Sequence, residues 1–195
     1  TKAADGSGPD ALAYRGPGLF ASPLAWAPDG QSLLASCSDS TGSTDLWRVP
    51  LSRGVAEPFE RSPAAEEQAQ YSPDGALVLF SSIENGKTSC FIRSVTDPGA
   101  RYQLYFPSLR GAAWARRNDL IFLIDTAGRL YSCAVSFKDG FQQGAPVLLF
   151  TLPSAESIVG YDPASERFLT EREKEGSVQT QLEVVLGWRE LLEKR

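Results

Sequence analysis

Histidine and methionine are both absent from the 195 residues, and cysteine occurs three times. Without histidine there is no Ser-His-Asp or Cys-His arrangement and no His-containing zinc site, and the commonest general base near neutral pH is missing. That lowers the expectation of an enzyme. Without methionine the chain opens on Thr1 with no initiator, which reads as a processed product or a piece of something longer. Cys37, Cys90 and Cys133 form no C-x-x-C pair and sit in apolar or alternating stretches. They are expected to be small buried side chains, with a disulfide between two of them left open. Long apolar runs are missing too. The longest, around residues 120–124 and 147–152, have strand length, well short of the ~18 residues that span a membrane. A net charge of -5 and a pI near 4.9 argue against a nucleic-acid partner. Arg110, Arg116 and Arg117 are the nearest approach to a basic patch. No G-x-S-x-G, P-loop, G-x-G-x-x-G, kinase catalytic loop or N-x-S/T acceptor is present. Helical composition is confined to residues 188–195, at most about two turns.

What the chain does have is turns and a repeat. It carries 17 Gly and 13 Pro with 42% apolar residues, which suits a turn-rich chain able to bury a core. Leu24-Ala25-Trp26-Ala27-Pro28-Asp29-Gly30 is matched by Ala69-Gln70-Tyr71-Ser72-Pro73-Asp74-Gly75. Degenerate copies follow at Ala112-Ala113-Trp114-Ala115-Arg116-Arg117-Asn118-Asp119 and Val159-Gly160-Tyr161-Asp162-Pro163-Ala164-Ser165. The marker aromatics Trp26, Tyr71, Trp114 and Tyr161 recur at steps of 45, 43 and 47 residues. A period of about 40–45 residues is that of a propeller blade with four strands.

Each copy divides in the same way. A short aromatic-bearing strand enters a tight turn, in which Pro fixes φ and Gly takes the left-handed position. An apolar strand, a polar loop and a third strand follow, and three copies close with a fourth strand. The fold class expected is therefore all-β: one β-propeller domain over 1–195. Its four four-stranded blade repeats run about 18–60, 61–107, 108–152 and 153–188. The last copy lacks a fourth strand, while residues 11–15 read as a strand with no first three before it. The N-terminal strand is expected to complete the last blade beside residues 182–186. Either a closed four-blade ring or association of chains would relieve the exposed edges, so a monomer or a homodimer is expected.

Trp26-Ala27-Pro28-Asp29-Gly30, Tyr71-Ser72-Pro73-Asp74-Gly75 and Asp45-Leu46-Trp47-Arg48-Val49-Pro50-Leu51 resemble the TolB-like, WD40-like propeller repeat. So does Val184-Val185-Leu186-Gly187-Trp188. The whole order is similar to the C-terminal propeller region of bacterial serine/threonine kinase-associated proteins. The resemblance implies a bacterial binding module with no shared catalytic site, and it favours an extracytoplasmic compartment that the residues themselves leave open.

Candidate sites are weighed against plainer roles. Asp29 and Asp74 recur at a fixed turn position and are expected to cap their own backbone. Trp26, Trp47, Trp114 and Tyr131 are expected to pack between sheets. Residues 39–45 have the oxygens of a calcium loop but not its spacing. Glu171, Glu173 and Glu175 with Arg172 and Lys174, and the pair Glu66–Glu67, read as solvated edge positions. The function expected is a non-enzymatic scaffold that recognises a protein, peptide or small ligand, with no catalytic residue, metal or cofactor. The alternative is a sensor or gating domain of a larger enzyme, such as a receptor-like kinase or peptidase. In either case the connections entering the innermost strands should ring one mouth, with Glu66, Glu67, Gln68, Ser108, Arg110 and Glu156 as candidate contacts.

Overall fold

The computed structural model describes residues 20–185 apart from 39, 41–42, 52–53, 154–155, 163–164 and 174–179. Its described elements are all strands, in four antiparallel sheets that follow one another along the chain. The first sheet holds β1 (Phe20–Trp26), β2 (Ser32–Ser38), β3 (Thr44–Pro50) and β4 (Glu57–Glu60) in that order. The second holds β5 (Ala65–Tyr71), β6 (Leu77–Glu84), β7 (Lys87–Ser94) and β8 (Arg101–Leu104). In the third, β9 (Leu109–Trp114) and β10 (Leu120–Asp125) lead to β11 (Arg129–Ser136), which pairs with both β12 (Gln142–Gln143) and β13 (Val147–Thr151). The fourth holds β14 (Glu156–Asp162), β15 (Arg167–Glu173) and β16 (Thr180–Val185). The pairing expected for residues 11–15 and the helical tail at 188–195 lie outside the described residues.

The two Pro-Asp-Gly turns are equivalent. Gly30 and Gly75 have φ of 68° and 75°, which only glycine adopts without strain. Gly30 N donates to Ala27 O and Gly75 N to Ser72 O, each at 2.8 Å. Asp29 Oδ1 accepts from Gln31 N at 2.9 Å and Asp74 Oδ1 from Ala76 N at 3.0 Å, so both aspartates cap their own turns. The degenerate third copy keeps the bond that spans the first two turns, Ala115 N to Leu120 O at 3.1 Å matching Ala27 N to Ser32 O at 2.9 Å and Ser72 N to Leu77 O at 2.8 Å, and an Arg117–Asp119 ion pair spans its turn.

Strand alternation then sends residues to opposite faces of each sheet. In the second sheet Val78 and Phe80 pack back against Leu34, Leu46 and Phe59 of the first. Leu79, Cys90, Ile92 and Leu104 pack forward against Trp114, Ile121 and Leu123 of the third. Phe122 of the third meets Phe168 and Tyr161 of the fourth, with ring centroids 4.9 Å apart in both pairs. Each such Leu, Ile or Phe contributes about 1.5–3 kcal/mol by leaving water, so the seams between sheets are the core. Cys90 and Cys133 lie buried in it as thiols, and burial pushes Cys90 up to about 12.

Two expectations are corrected. Trp26 is 58% exposed, whereas its counterpart Trp114 is 4% exposed. Tyr71, Trp114 and Tyr161 each pack against the sheet before their own, and among the described residues no sheet precedes the first. β15, which carries Glu171, Arg172 and Glu173, is paired on both sides and is therefore an interior strand, not an edge.

Candidate ligand-binding cleft

The first strand of every sheet is irregular in the same way. Along β1 the register jumps from Pro23 to Ala25, leaving Leu24 out of the ladder with β2. Along β5 it jumps from Glu67 to Gln70, leaving out Gln68 and Ala69. Arg110 is skipped in β9 and Val159 in β14. An extra residue in one strand of a pair bends it and re-aims the side chains around it. Here Leu24, Gln68, Ala69 and Arg110 all line one cleft of about 380 Å³, with Ile158 of β14 closing its far side. Phe122, Ile124 and Phe168 make the floor apolar, while Gln68, Gln70 and Arg110 supply polar groups. That volume lies within the range of pockets that hold ligands, about 300–1,000 Å³.

The walls are held from both sides. Gln70 Oε1 accepts from the Trp114 backbone N at 3.3 Å, tying β5 to β9. Gly111 in β9 faces Gln68, and a Cβ there would stand 3.5 Å from Gln68 Oε1, so glycine leaves room beside the amide. Ahead of Arg110, Ser108 has φ of 54°, and its carbonyl accepts from Thr126 N at 2.9 Å. That bond fastens the entry to β9 against the β10–β11 turn. The turn is closed by buried Asp125, which accepts from Ala127 N and Arg129 N, both at 2.9 Å, and from Arg129 Nε at 2.7 Å. Burial opposes the charge on Asp125, but the Arg129 backbone and guanidinium and the Ala127 N–H outweigh it and hold the carboxyl below its usual range.

The six candidate contacts are placed differently from one another. Gln68 and Arg110 are exposed and come together in the cleft. Ser108 is exposed, two residues before Arg110, and does not line the cleft. Glu67 is half-buried, and its carbonyl accepts from Ser81 Oγ at 3.1 Å. Glu156 begins β14, paired in register with Arg172. Glu66 does not reach a surface. Residues 66–68 belong to β5 itself, not to the connection before it, and alternation turns Glu66 into the seam between the first two sheets, where it is 0% exposed. Its Oε1 accepts from Ser62 Oγ, and Oε2 has no partner among the described residues. Burial pushes its carboxyl above the usual range and nearby Asp45 and Glu60 add to this, against the Ser62 hydroxyl and Arg101. Residue-by-residue reading missed Leu24, Phe122, Ile158 and Phe168. The signal available was positional, since Leu24 and Ala69 both stand two residues before a marker aromatic.

A second cleft of about 470 Å³ adjoins the first, sharing Gln70 and Tyr161 in its lining. Tyr71, Trp114 and Arg116 complete its walls, and burial pushes the Tyr71 phenol up, keeping it protonated.

Successive antiparallel sheets of three to five described strands packed face to face, with their first strands gathered on one cleft, define a β-propeller. Its fold is that of the TolB-like propellers. No family model matches the chain. Over 77 residues it is 34% identical to the Tol-Pal system protein TolB of Anaeromyxobacter dehalogenans strain 2CP-C, a match covering 40% of this chain and 17% of that protein. It superposes on TolB from Acinetobacter baumannii with a TM-score of 0.61 at 17% identity, over 86% of this chain and 40% of that one. A prolyl endopeptidase gives 0.59 at 13% identity, over 87% of this chain and 27% of that one. The chain thus spans less than half the length of these relatives.

Proposed function

We propose that this propeller is a non-enzymatic binding module and that the cleft of the first strands takes a segment of a protein or peptide partner. One observation carries the reading: three first strands, each broken at a comparable place, bring Leu24, Gln68 and Arg110 into a single cleft. Bulges cost ladder hydrogen bonds, and a repeated cost at one place suits a site better than a packing accident. Open sides favour a chain segment over an enclosed small ligand. The likeness to a prolyl endopeptidase supports a second reading, a gating or sensor domain beside a catalytic part, and that reading uses the same cleft.

A random peptide display library panned on the protein tests the proposal. Enriched peptides should lose binding to the Gln68→Ala/Arg110→Ala double variant and keep it with Lys87→Ala in β7, two strands away from β5 in its sheet. Enrichment indifferent to the double variant would refute it.

A further inference from the structure

We infer that the two adjoining clefts form one groove selective for an extended acidic peptide, with carboxylates about six residues apart. The inference rests on the binding reading above and adds the chemistry of the partner.

Charge is the first ground. Arg61, Arg93, Arg101, Arg117 and Arg129 all pair with carboxylates. Arg110 lines the first cleft and Arg116 the second, and neither has an ion pair or hydrogen bond among the described residues. Both are exposed. No Asp or Glu is among the residues lining either cleft. In an acidic chain of net charge -5, two uncompensated cations on one groove and no anion are a local reversal of sign.

Hydrogen bonding is the second. Trp114 is 4% exposed and lines the second cleft, and its buried indole Nε1–H has no acceptor among the described residues. A buried donor without an acceptor costs about 1–3 kcal/mol. A ligand bringing an acceptor, such as a peptide carbonyl, would relieve that cost. With the two guanidinium groups, the groove offers donors to an acceptor-rich ligand.

Spacing decides between anions. Arg110 and Arg116 are six positions apart along β9 and its turn, so their Cα atoms lie at most about 20 Å apart. An extended peptide covers that span in about six residues, with its intervening side chains over Phe122, Ile124 and Ile158. A nucleic-acid strand carries a charge roughly every 3.4 Å per strand of helix axis, far denser than two cations can match.

The test is fluorescence anisotropy on the whole protein. The probe is a labelled seven-residue peptide with Asp at both ends and Ala and Val between. Comparison probes are the same peptide with Lys at both ends, a permuted one with the two Asp adjacent, and a single-stranded RNA hexamer. The spaced acidic peptide should bind at least ten-fold more tightly than the other three. Arg110→Glu and Arg116→Glu should each weaken it ten-fold or more, and Ala113→Leu, which fills the groove, should do the same. Arg117→Gln, outside the lining, should leave it unchanged, with melting curves confirming that every variant is folded. Equal binding of the Lys peptide, tighter binding of the RNA, or indifference to both charge reversals would overturn the inference. If the library yields groove-dependent peptides that are neutral or basic, the binding reading survives and the acidic selectivity falls. If no library peptide depends on the groove, both fall.

Discussion

The seam between the first and second sheets and the seam between the second and third are built from the same repeat, yet they are sealed differently. The later seam is a continuous apolar cluster from Leu79 to Val135. Neutral hydrogen bonds close its rim: Gln143 takes both backbone groups of Tyr105, at 3.0 and 2.9 Å, and Asn118 Oδ1 accepts from Asp74 N at 3.2 Å. The earlier seam has a smaller apolar centre and an ionic rim. Arg93 and Arg101 converge on Glu60 at 2.8 and 3.1 Å, the Arg93 guanidinium lies 4.7 Å from the Phe59 ring centre, and Glu66 is buried among them. A blade period therefore dictates where sheets meet but not the chemistry that joins them. The ionic seam should respond to salt and pH, and the apolar one should not.

Leu123→Ala should break the apolar seam most severely. Leu123 is 0% exposed, and truncating a buried Leu costs about 2–5 kcal/mol, read as a lower urea midpoint at every ionic strength. In the ionic seam, Arg93→Met should cost about 1–3 kcal/mol, less because Arg101 still faces Glu60. Rising salt should shrink that loss, and a salt-independent loss would mean the seam is held by packing alone.

Two smaller effects sharpen the contrast. Gly75→Ala should cost about 1 kcal/mol or more, since its positive φ is compounded by a Cβ 3.2 Å from the Pro28 ring. Gly30→Ala, with open space around it, should cost less at a similar φ. Glu66 gives the smallest effect and a definite sign. Its folded-state carboxyl is raised, so the folded protein holds its proton more tightly than the unfolded chain does. Stability from this group is full below the ordinary glutamate value of about 4.3 and is lost as pH rises through the higher folded value. Glu66→Gln should flatten that decline in a melting series, and an unchanged slope would show that Glu66 ionises freely.

The repeat and its turns were legible because they rest on local chemistry. Pro, Asp and Gly at fixed positions specify a turn, and Gly30 and Gly75 adopt it as expected. The apolar run at residues 120–124 likewise announced a buried strand. The cleft was legible only in part. Gln68 and Arg110 were named by position, but the bulges beside them depend on register with a partner strand, which a local pattern does not contain. Gln68 itself takes φ of 53° without being glycine. Glu66 was misread for the opposite reason: beside Glu67 it looks like a solvated pair, and only the bounds of β5 turn it inward. Trp26 was misjudged because its packing depends on a neighbouring sheet, which a local pattern does not contain.

The binding role of the first strands is tested most directly by hydrogen exchange on the whole protein, with and without a peptide enriched from the random library. Protection should rise at residues 68–70 and 110–113, where β5 and β9 face the cleft, and stay unchanged in β7. Protection on the outer strands, with β5 and β9 unaffected, would contradict the assignment of the cleft as the site.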